Sequence, residues 1–229
     1  EMNVGWLGKE NVAPRVILTE GGSMTDIYVY NQLTKDNNGN IKVDQNGNLG
    51  ITSSNTPVKV GNLDADFNLG WTNHFTYKGI DLGVVLSARV GGLAYSATQG
   101  ILDYYGVSGT SATARDNGGI PINNGKVNAQ KYYQTIGTGE GGYGRYYLYS
   151  ATNVRLQELS LNYTLPKRWF KNVANVTLGI VGRNLWMIYC KAPFDPELSA
   201  STSSNYYMNV DYFMQPSLRN FGFNVKVQF

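Results

Sequence analysis

The chain has 229 residues, of which only 15% are charged, below the ~25% usual for soluble globular chains. Aromatic residues make up 13%, led by 17 tyrosines, and the net charge is +3. This balance excludes a coiled coil and a disordered tail, and the charge is too small and too scattered for a nucleic-acid partner. Twenty-seven glycines and 25 asparagines supply many turn formers. No apolar run reaches the ~18 residues of a transmembrane helix. No basic-flanked apolar stretch of the signal-peptide kind opens the chain. A mean hydropathy of −0.29 still accommodates transmembrane strands, which are apolar on one face only.

In chain order, residues 25–33 (TDIYVYNQL) form the first candidate strand. Residues 34–62 read as a polar link carrying DNNGN (36–40) and DQNGN (44–48). A calcium loop needs oxygen ligands at alternate positions and a distal glutamate. That glutamate is missing, so two adjacent turns are expected.

The strongest signal follows. Leu63, Ala65, Phe67, Leu69, Trp71, Phe75 and Tyr77 alternate with Asp64, Asp66, Asn68, Thr72, His74, Thr76 and Lys78. A strand places successive side chains on opposite faces, so one face is apolar and the other polar. After a turn at Lys78-Gly79, Ile80, Leu82, Val84, Leu86, Ala88 and Val90 repeat the apolar face. The result is a long hairpin with a very short turn. Each arm reaches the ~9–11 residues that a tilted strand needs to cross a bilayer.

Residues 91–145 read as a long link containing one short helix, SATQGILDYYG (96–106). Ser96 or Thr98 would cap it, and Ile101 and Leu102 would pack. The glycine-rich run 139–144 lacks the Lys-Ser/Thr ending of a phosphate loop, so a flexible loop with no helix after it is expected. Strands follow at 153–165 and 174–188. The apolar phase breaks near Gln157-Glu158 and near Asn184-Leu185, which calls for a bulge or a change of packing. The link 190–217 contains FDPE (194–197). Phe221, Phe223, Val225, Val227 and Phe229 give the last alternating strand.

Short links after Tyr77 and Leu165 belong on one side and long links on the other, the arrangement of outer-membrane barrels. Five strands leave open edges that hydrocarbon does not tolerate. The expectation is that further strands lie N-terminal to Glu1 in a larger polypeptide.

NLGWTNHFTYKGIDL (68–82), NVRLQELSLNYTLP (153–166), GRNLWMIY (182–189), FDPE (194–197) and GFNVKVQF (222–229) occur in this order. The ordered set resembles the C-terminal end of the SusC/RagA family, TonB-dependent outer-membrane transporters of Bacteroidota. The resemblance covers roughly residues 60–229. It implies an all-β, antiparallel transmembrane β-barrel of about 22 strands, with a plug domain and a TonB-contacting segment absent from this chain. Residues 63–229 would be barrel strands and loops, and 1–62 strand and long-loop segments. The implied partners are the rest of the transporter, outer-membrane lipid, a SusD-like surface lipoprotein lid and the TonB–ExbB–ExbD machinery. The implied cargo is an oligosaccharide or a peptide, and no cofactor is implied. The rival readings are a soluble carbohydrate-binding β-sandwich and a small complete outer-membrane barrel.

No nucleophile, acid–base or metal constellation points to an enzyme. His74 reads as a polar-face residue near the short turn, and Cys190 as a thiol packed at a strand end. Asp195 and Glu197 read as carboxylates capping a proline-stiffened turn. Trp71, Phe75, Tyr77, Tyr163, Trp169 and Phe170 read as an aromatic girdle at one rim. Four tyrosine pairs sit in or beside the long links. Tyrosine offers an apolar face with a polar handle, which suits sugars and peptides. Tyr104, Tyr105, Tyr132, Tyr133, Tyr206 and Tyr207 are therefore the candidate substrate contacts. Tyr146-Tyr147 is the fourth pair.

Overall fold

A computed structural model describes residues 2–8, 12–197 and 209–228. Strands β1 (Met2–Trp6), β2 (Arg15–Leu18), β3 (Asp26–Leu33) and β4 (Ile51–Asn62) come first, followed by the hairpin β5 (Phe67–Tyr77) and β6 (Ile80–Val90). Then come β7 (Leu93–Ser96), helices α1 (Ala97–Tyr104) and α2 (Gly109–Asp116), and the small hairpin β8 (Ile120–Ile122) and β9 (Gly125–Val127). Helices α3 (Ala129–Gly137) and α4 (Gly144–Tyr147) precede β10 (Leu148–Ser150) and β11 (Asn153–Thr164). A 3-10 turn at Lys167–Phe170 leads to β12 (Asn175–Cys190), β13 (Val210–Asp211) and β14 (Asn220–Gln228). The described residues fall into two compact units. One draws on 1–64, 92–150 and 196–215, and the other on 65–91, 151–195 and 216–229.

The second unit is a five-stranded antiparallel sheet in the order β14-β12-β11-β6-β5. Lys78 and Gly79 both take positive φ, 47° and 86°, and Tyr77 pairs directly with Ile80. Two left-handed central residues are the type I′ signature, whose twist matches that of the strands it joins. Phe67, Leu69, Trp71, Phe75 and Tyr77 pair across with Val90, Ala88, Leu86, Leu82 and Ile80. The apolar face continues through Leu161 and Tyr163, which face Leu82 and Ile80 on one side and Ile180 and Leu178 on the other. Phe223 and Val225 of β14 complete it beside Ile180 and Leu178.

The phase breaks seen in the sequence are register shifts. Between Leu156 and Glu158 the register slips against both neighbours, so Gln157 is the extra residue relative to β6. The bulge brings Leu156 opposite Leu86 and Val154 opposite Ala88, restoring both to the apolar face. In β12 the compensating residue is Asn184, at φ 53°. Asparagine is among the few non-glycine residues that enter this region readily. The opposite face carries His74, Asp81, Ser160, Asn162, Asn224 and Lys226 in adjoining register. Gly179 lies between Asn162 and Asn224, whose amides occupy the space a side chain would need.

The apolar face is exposed: Phe223 is 69% accessible, and Phe67, Leu69, Trp71, Phe75, Leu161 and Ile180 are all exposed. Trp71 pairs with Leu86 in mid-strand, so it stands away from the rim where the girdle reading put it. Phe75, Tyr77 and Tyr163 lie on the same face at the short-turn end. The last residue of the sequence, Phe229, lies outside the described residues.

The first unit carries the four-stranded sheet β1-β2-β3-β4 and the three-stranded sheet β10-β7-β13, in which β13 runs parallel to β7. Leu7, Val16, Ile27, Leu33, Tyr95, Ile136, Tyr147 and Val210 form its buried core. Leu63 is buried in that core, outside the strand face to which its alternation assigned it. The candidate strand at 25–33 is β3. Residues 51–62, read as link, form β4 paired to it. DNNGN and DQNGN are two turns, with Asp36 Oδ1 accepting from the Asn40 amide at 2.9 Å and Asp44 Oδ1 from the Asn48 amide at 2.7 Å. These backbone donors hold both carboxyls below the usual carboxylate range.

Four short helices occupy the link read as mostly loop, and none of the described helices is long and apolar enough to cross a membrane. Among the described residues no sheet closes into a barrel, and the outer edges of β5 and β14 carry no strand partner.

Candidate functional site

Three helices of the first unit frame a cleft, and each begins on a side-chain cap. Ser96 Oγ accepts from the Gln99 amide at 3.0 Å, as its position before ATQG anticipates. Ser108 Oγ accepts from the Ser111 amide at 3.0 Å, and Asn128 Oδ1 from the Gln130 amide at 2.9 Å. Ile101 and Leu102 are only half-buried. Gly100 and Asp103 face inward instead. Gly100 sits against the Gly141 carbonyl, where any side chain would collide. Gly137 of α3 lies against the Gly100 carbonyl and the Tyr104 amide of α1. The glycines thus let α1, α3 and the 139–144 segment approach at backbone distance.

Asp103 is the buried hub beneath the cleft. Its Oδ1 accepts from Gln99 Nε2 and Thr110 Oγ1, each at 2.9 Å, and from Ser108 Oγ. Its Oδ2 accepts from the Tyr147 hydroxyl at 3.1 Å. A buried carboxylate is tolerated when its lone pairs are filled in this way. The network fastens the end of α1 to the start of α2 and engages both carboxylate oxygens. Burial, with Asp103 as a second cause, pushes the Tyr147 phenol far above its ordinary pKa. Tyr149 is pushed up to about 12 by the same two causes.

Above this network lies a cleft of about 410 Å³, lined by Tyr104, Tyr105, Arg115, Gln130, Tyr133 and Gln134 among others. Its size falls within the ~300–1,000 Å³ of small-molecule sites. Gln130, Tyr133 and Gln134 share one face of α3 through their i, i+3, i+4 spacing. Tyr104 and Tyr105 pack edge-to-face with centroids 5.1 Å apart. Tyr132 and Tyr133 do the same at 5.2 Å. Arg115, in the last turn of α2, donates from Nη1 to the Gly106 carbonyl at 2.6 Å.

The structure therefore brings Tyr104, Tyr105 and Tyr133 together. Tyr132 points to the core and packs against it, and burial raises its phenol. Tyr206 and Tyr207 lie outside the described residues. Tyr146 and Tyr147 are structural: the Tyr146 hydroxyl accepts from the Leu33 amide at 2.6 Å, and Tyr147 is buried. Arg115, Gln130 and Gln134 escaped sequence reasoning. The available signal was Asn128 as a cap followed by glutamines one turn apart. The 139–144 run is not a free loop, because Gly141 and Gly142 take positive φ beside the Tyr95 hydroxyl, and the one-turn α4 follows it.

The remaining candidates belong to the second unit. His74 lies on the polar face, 3.9 Å from Asp81. The Cys190 thiol, half-buried, donates to the Ala192 carbonyl at 3.4 Å. Asp195 forms a buried ion pair with Arg155 Nη2 at 2.7 Å, and its other oxygen accepts from Ser217 Oγ. Among the described residues no group of three or more His, Cys, Asp or Glu gathers as a metal site.

No family model matches the chain. The chain is 26% identical over 201 residues to TonB-dependent receptor P3 of Formosa agariphila, covering 85% of this chain and 19% of that protein. In fold it resembles the RagAB peptide importer. The open-open state matches with a TM-score of 0.60 at 15% identity, over 95% of this chain and 25% of that one. The closed-closed state matches with a TM-score of 0.55 at 18% identity, over 88% and 22%. The chain thus spans 19–25% of the length of these relatives. With the ordered motifs of its sequence, these likenesses make the chain SusC/RagA-like, corresponding to part of a TonB-dependent receptor.

Proposed function

We propose that this chain supplies barrel wall, external loops and the closing strand of a TonB-dependent outer-membrane importer. The observation that carries the reading is the continuous apolar face of the five-stranded sheet, exposed at Phe67, Leu69, Phe75, Ile180, Phe223 and Val225 and half-exposed at Leu82, Val84 and Leu86. Soluble monomers rarely expose apolar patches beyond a few hundred Å². A β-sandwich would bury that face against a second sheet. The unpaired edges of β5 and β14 call for further strands, because hydrocarbon tolerates no open edge. A barrel of about 22 strands provides them.

In this reading residues 63–229 contribute strands and loops of the C-terminal part, and 1–62 contribute strand and loop segments. Phe67, Leu69, Leu82, Val84, Leu86, Phe223 and Val225 face lipid. Asn68, Arg89, Asn224 and Lys226 face the lumen. The short turns after Tyr77 and Thr164 lie on the periplasmic side, and the links carrying α1–α4 lie outside. A plug and a TonB-contacting segment in the rest of the transporter couple it to TonB–ExbB–ExbD, and a SusD-like lipoprotein covers the mouth. The cargo is an oligosaccharide or a peptide, the latter being what the RagAB relatives import. Transport involves no covalent chemistry by this chain.

Fractionation of cells expressing the full-length protein tests this reading. The protein is expected in the outer membrane, with a band that shifts mobility on boiling in detergent. Recovery in a soluble fraction without such a shift contradicts it.

A further inference from the structure

We propose that the cleft between α1, α2 and α3 binds a carboxylated saccharide, with Arg115 holding the carboxylate. The inference rests on the importer reading for how a saccharide reaches the cleft. The chemistry of the ligand comes from the lining itself.

Three tyrosines and two glutamines line the cleft with Arg115. Aromatic rings present an apolar face to the C–H side of a pyranose, and their hydroxyls meet its own. Gln130 and Gln134 are exposed on the same helix face as Tyr133, so each amide offers a donor and an acceptor one turn apart. Tyr105 is 67% exposed at the cleft's edge, available for stacking.

Charge narrows the class. Arg115 is exposed, and its guanidinium donates to the Gly106 carbonyl. No ion pair to it occurs among the described residues. Asp103, the carboxylate at the floor of the lining, is buried and already accepts from Gln99, Ser108, Thr110 and Tyr147. Asp116 follows Arg115 directly in α2, and adjacent helix residues do not face each other. Arg115 is therefore the one cation of the lining, and it forms no ion pair among the described residues, while Asp103 is tied up in its own hydrogen bonds. A planar guanidinium matches a carboxylate as a two-pronged donor.

The guanidinium is also held in place. Gly106 takes φ 71°, and a side chain there would come within 2.9 Å of Arg115 Nη1. Glycine thus admits both the turn and the arginine above it.

Peptides fit this lining less well. Extended peptides are commonly read by pairing with a strand edge. This cleft is walled by helices, whose backbone groups are spent on their own hydrogen bonds.

The test is isothermal titration of the full-length transporter in detergent with trigalacturonate, neutral galactotriose and a tripeptide with a free C-terminus. Trigalacturonate is expected to bind more tightly than galactotriose. R115Q should weaken trigalacturonate by about tenfold or more, the scale of a lost charge-assisted pair, and leave galactotriose unchanged. Y105A should weaken both sugars. No binding of trigalacturonate, equal binding before and after R115Q, or an Arg115-dependent preference for the tripeptide each overturns the inference. If the protein still fractionates as a heat-modifiable outer-membrane barrel, the cleft assignment alone has failed. If it does not, the importer reading has failed independently of any titration.

Discussion

Val84→Arg is expected to abolish the heat-modifiable form of the full-length protein, while Thr72→Arg leaves it at wild-type level. Val84 stands in mid-strand in β6, in register with Leu159 on one side and Asn73 on the other. Its face neighbours along β6 are Leu82 and Leu86. A guanidinium at the midplane of a lipid-facing strand costs about 2–4 kcal/mol. That is a sizeable fraction of a typical folding stability of ~5–15 kcal/mol. It also falls on an assembly step in which the strand must enter lipid. Thr72, opposite Val85 on the other face, is exposed among polar residues, so an arginine there stays solvated. The comparison separates face from charge, because both variants add the same group to the same hairpin. Equal assembly of the two variants would contradict the lipid-facing assignment.

Asp195→Ala is the second large effect, with an expected loss of about 3–5 kcal/mol, the cost of breaking a buried pair on one side. The Arg155 and Asp195 side chains are 4% and 8% exposed, so solvent screens the pair little. Asp195 also accepts from Ser217, where the chain returns toward β14, and Arg155 Nη1 donates to Asn184 at 2.9 Å. One carboxylate thus ties β11 and the bulge of β12 to the segment leading into the last strand. Removing it takes from the buried Arg155 guanidinium the carboxylate to which Nη2 donates. The paired variant Arg155→Met with Asp195→Leu should recover most of the loss, since matched apolar replacements of buried pairs are often close to neutral. Thermal unfolding of the detergent-solubilised transporter measures both. A single variant that melts like wild type, or a double variant no better than the single, contradicts this account of the node.

The meander of five strands was legible because period-two alternation is written directly in the residues. Even its interruptions could be read. The extra residue at Gln157 and the left-handed Asn184 showed as breaks in phase, since one inserted residue moves every later side chain to the other face. Helix α1 announced itself through Ser96.

The first unit was far less legible. Helices α2 and α3 are short and rich in Gly, Thr, Gln and Tyr, with too few apolar positions for helical periodicity to stand out. Ser-Ser-Asn-Thr in β4 reads as link until β3 is seen beside it. Leu63 continues the alternation of β5 on paper, yet the break before Phe67 sends it into a core assembled from distant segments. The site was half visible. Tyrosine pairs marked the right links, but adjacent residues on a helix point about 100° apart. Both Tyr132 and Tyr133 therefore touch the core, but only Tyr133 also lines the cleft. Arg115, Gln130 and Gln134 converge only through tertiary packing around Asp103, and no local pattern announces that.

Site-directed spin labelling along β11 reads which face of the sheet meets lipid. In a Cys190→Ser background, single cysteines from Glu158 to Tyr163 carry a nitroxide in the full-length protein reconstituted into bilayers. Strict alternation is expected. Labels at Leu159, Leu161 and Tyr163 collide with lipid-dissolved oxygen, and labels at Glu158, Ser160 and Asn162 collide with a water-soluble nickel chelate. A strand accessible to the chelate on both faces, or sealed from both probes at Leu159 and Leu161, would contradict it.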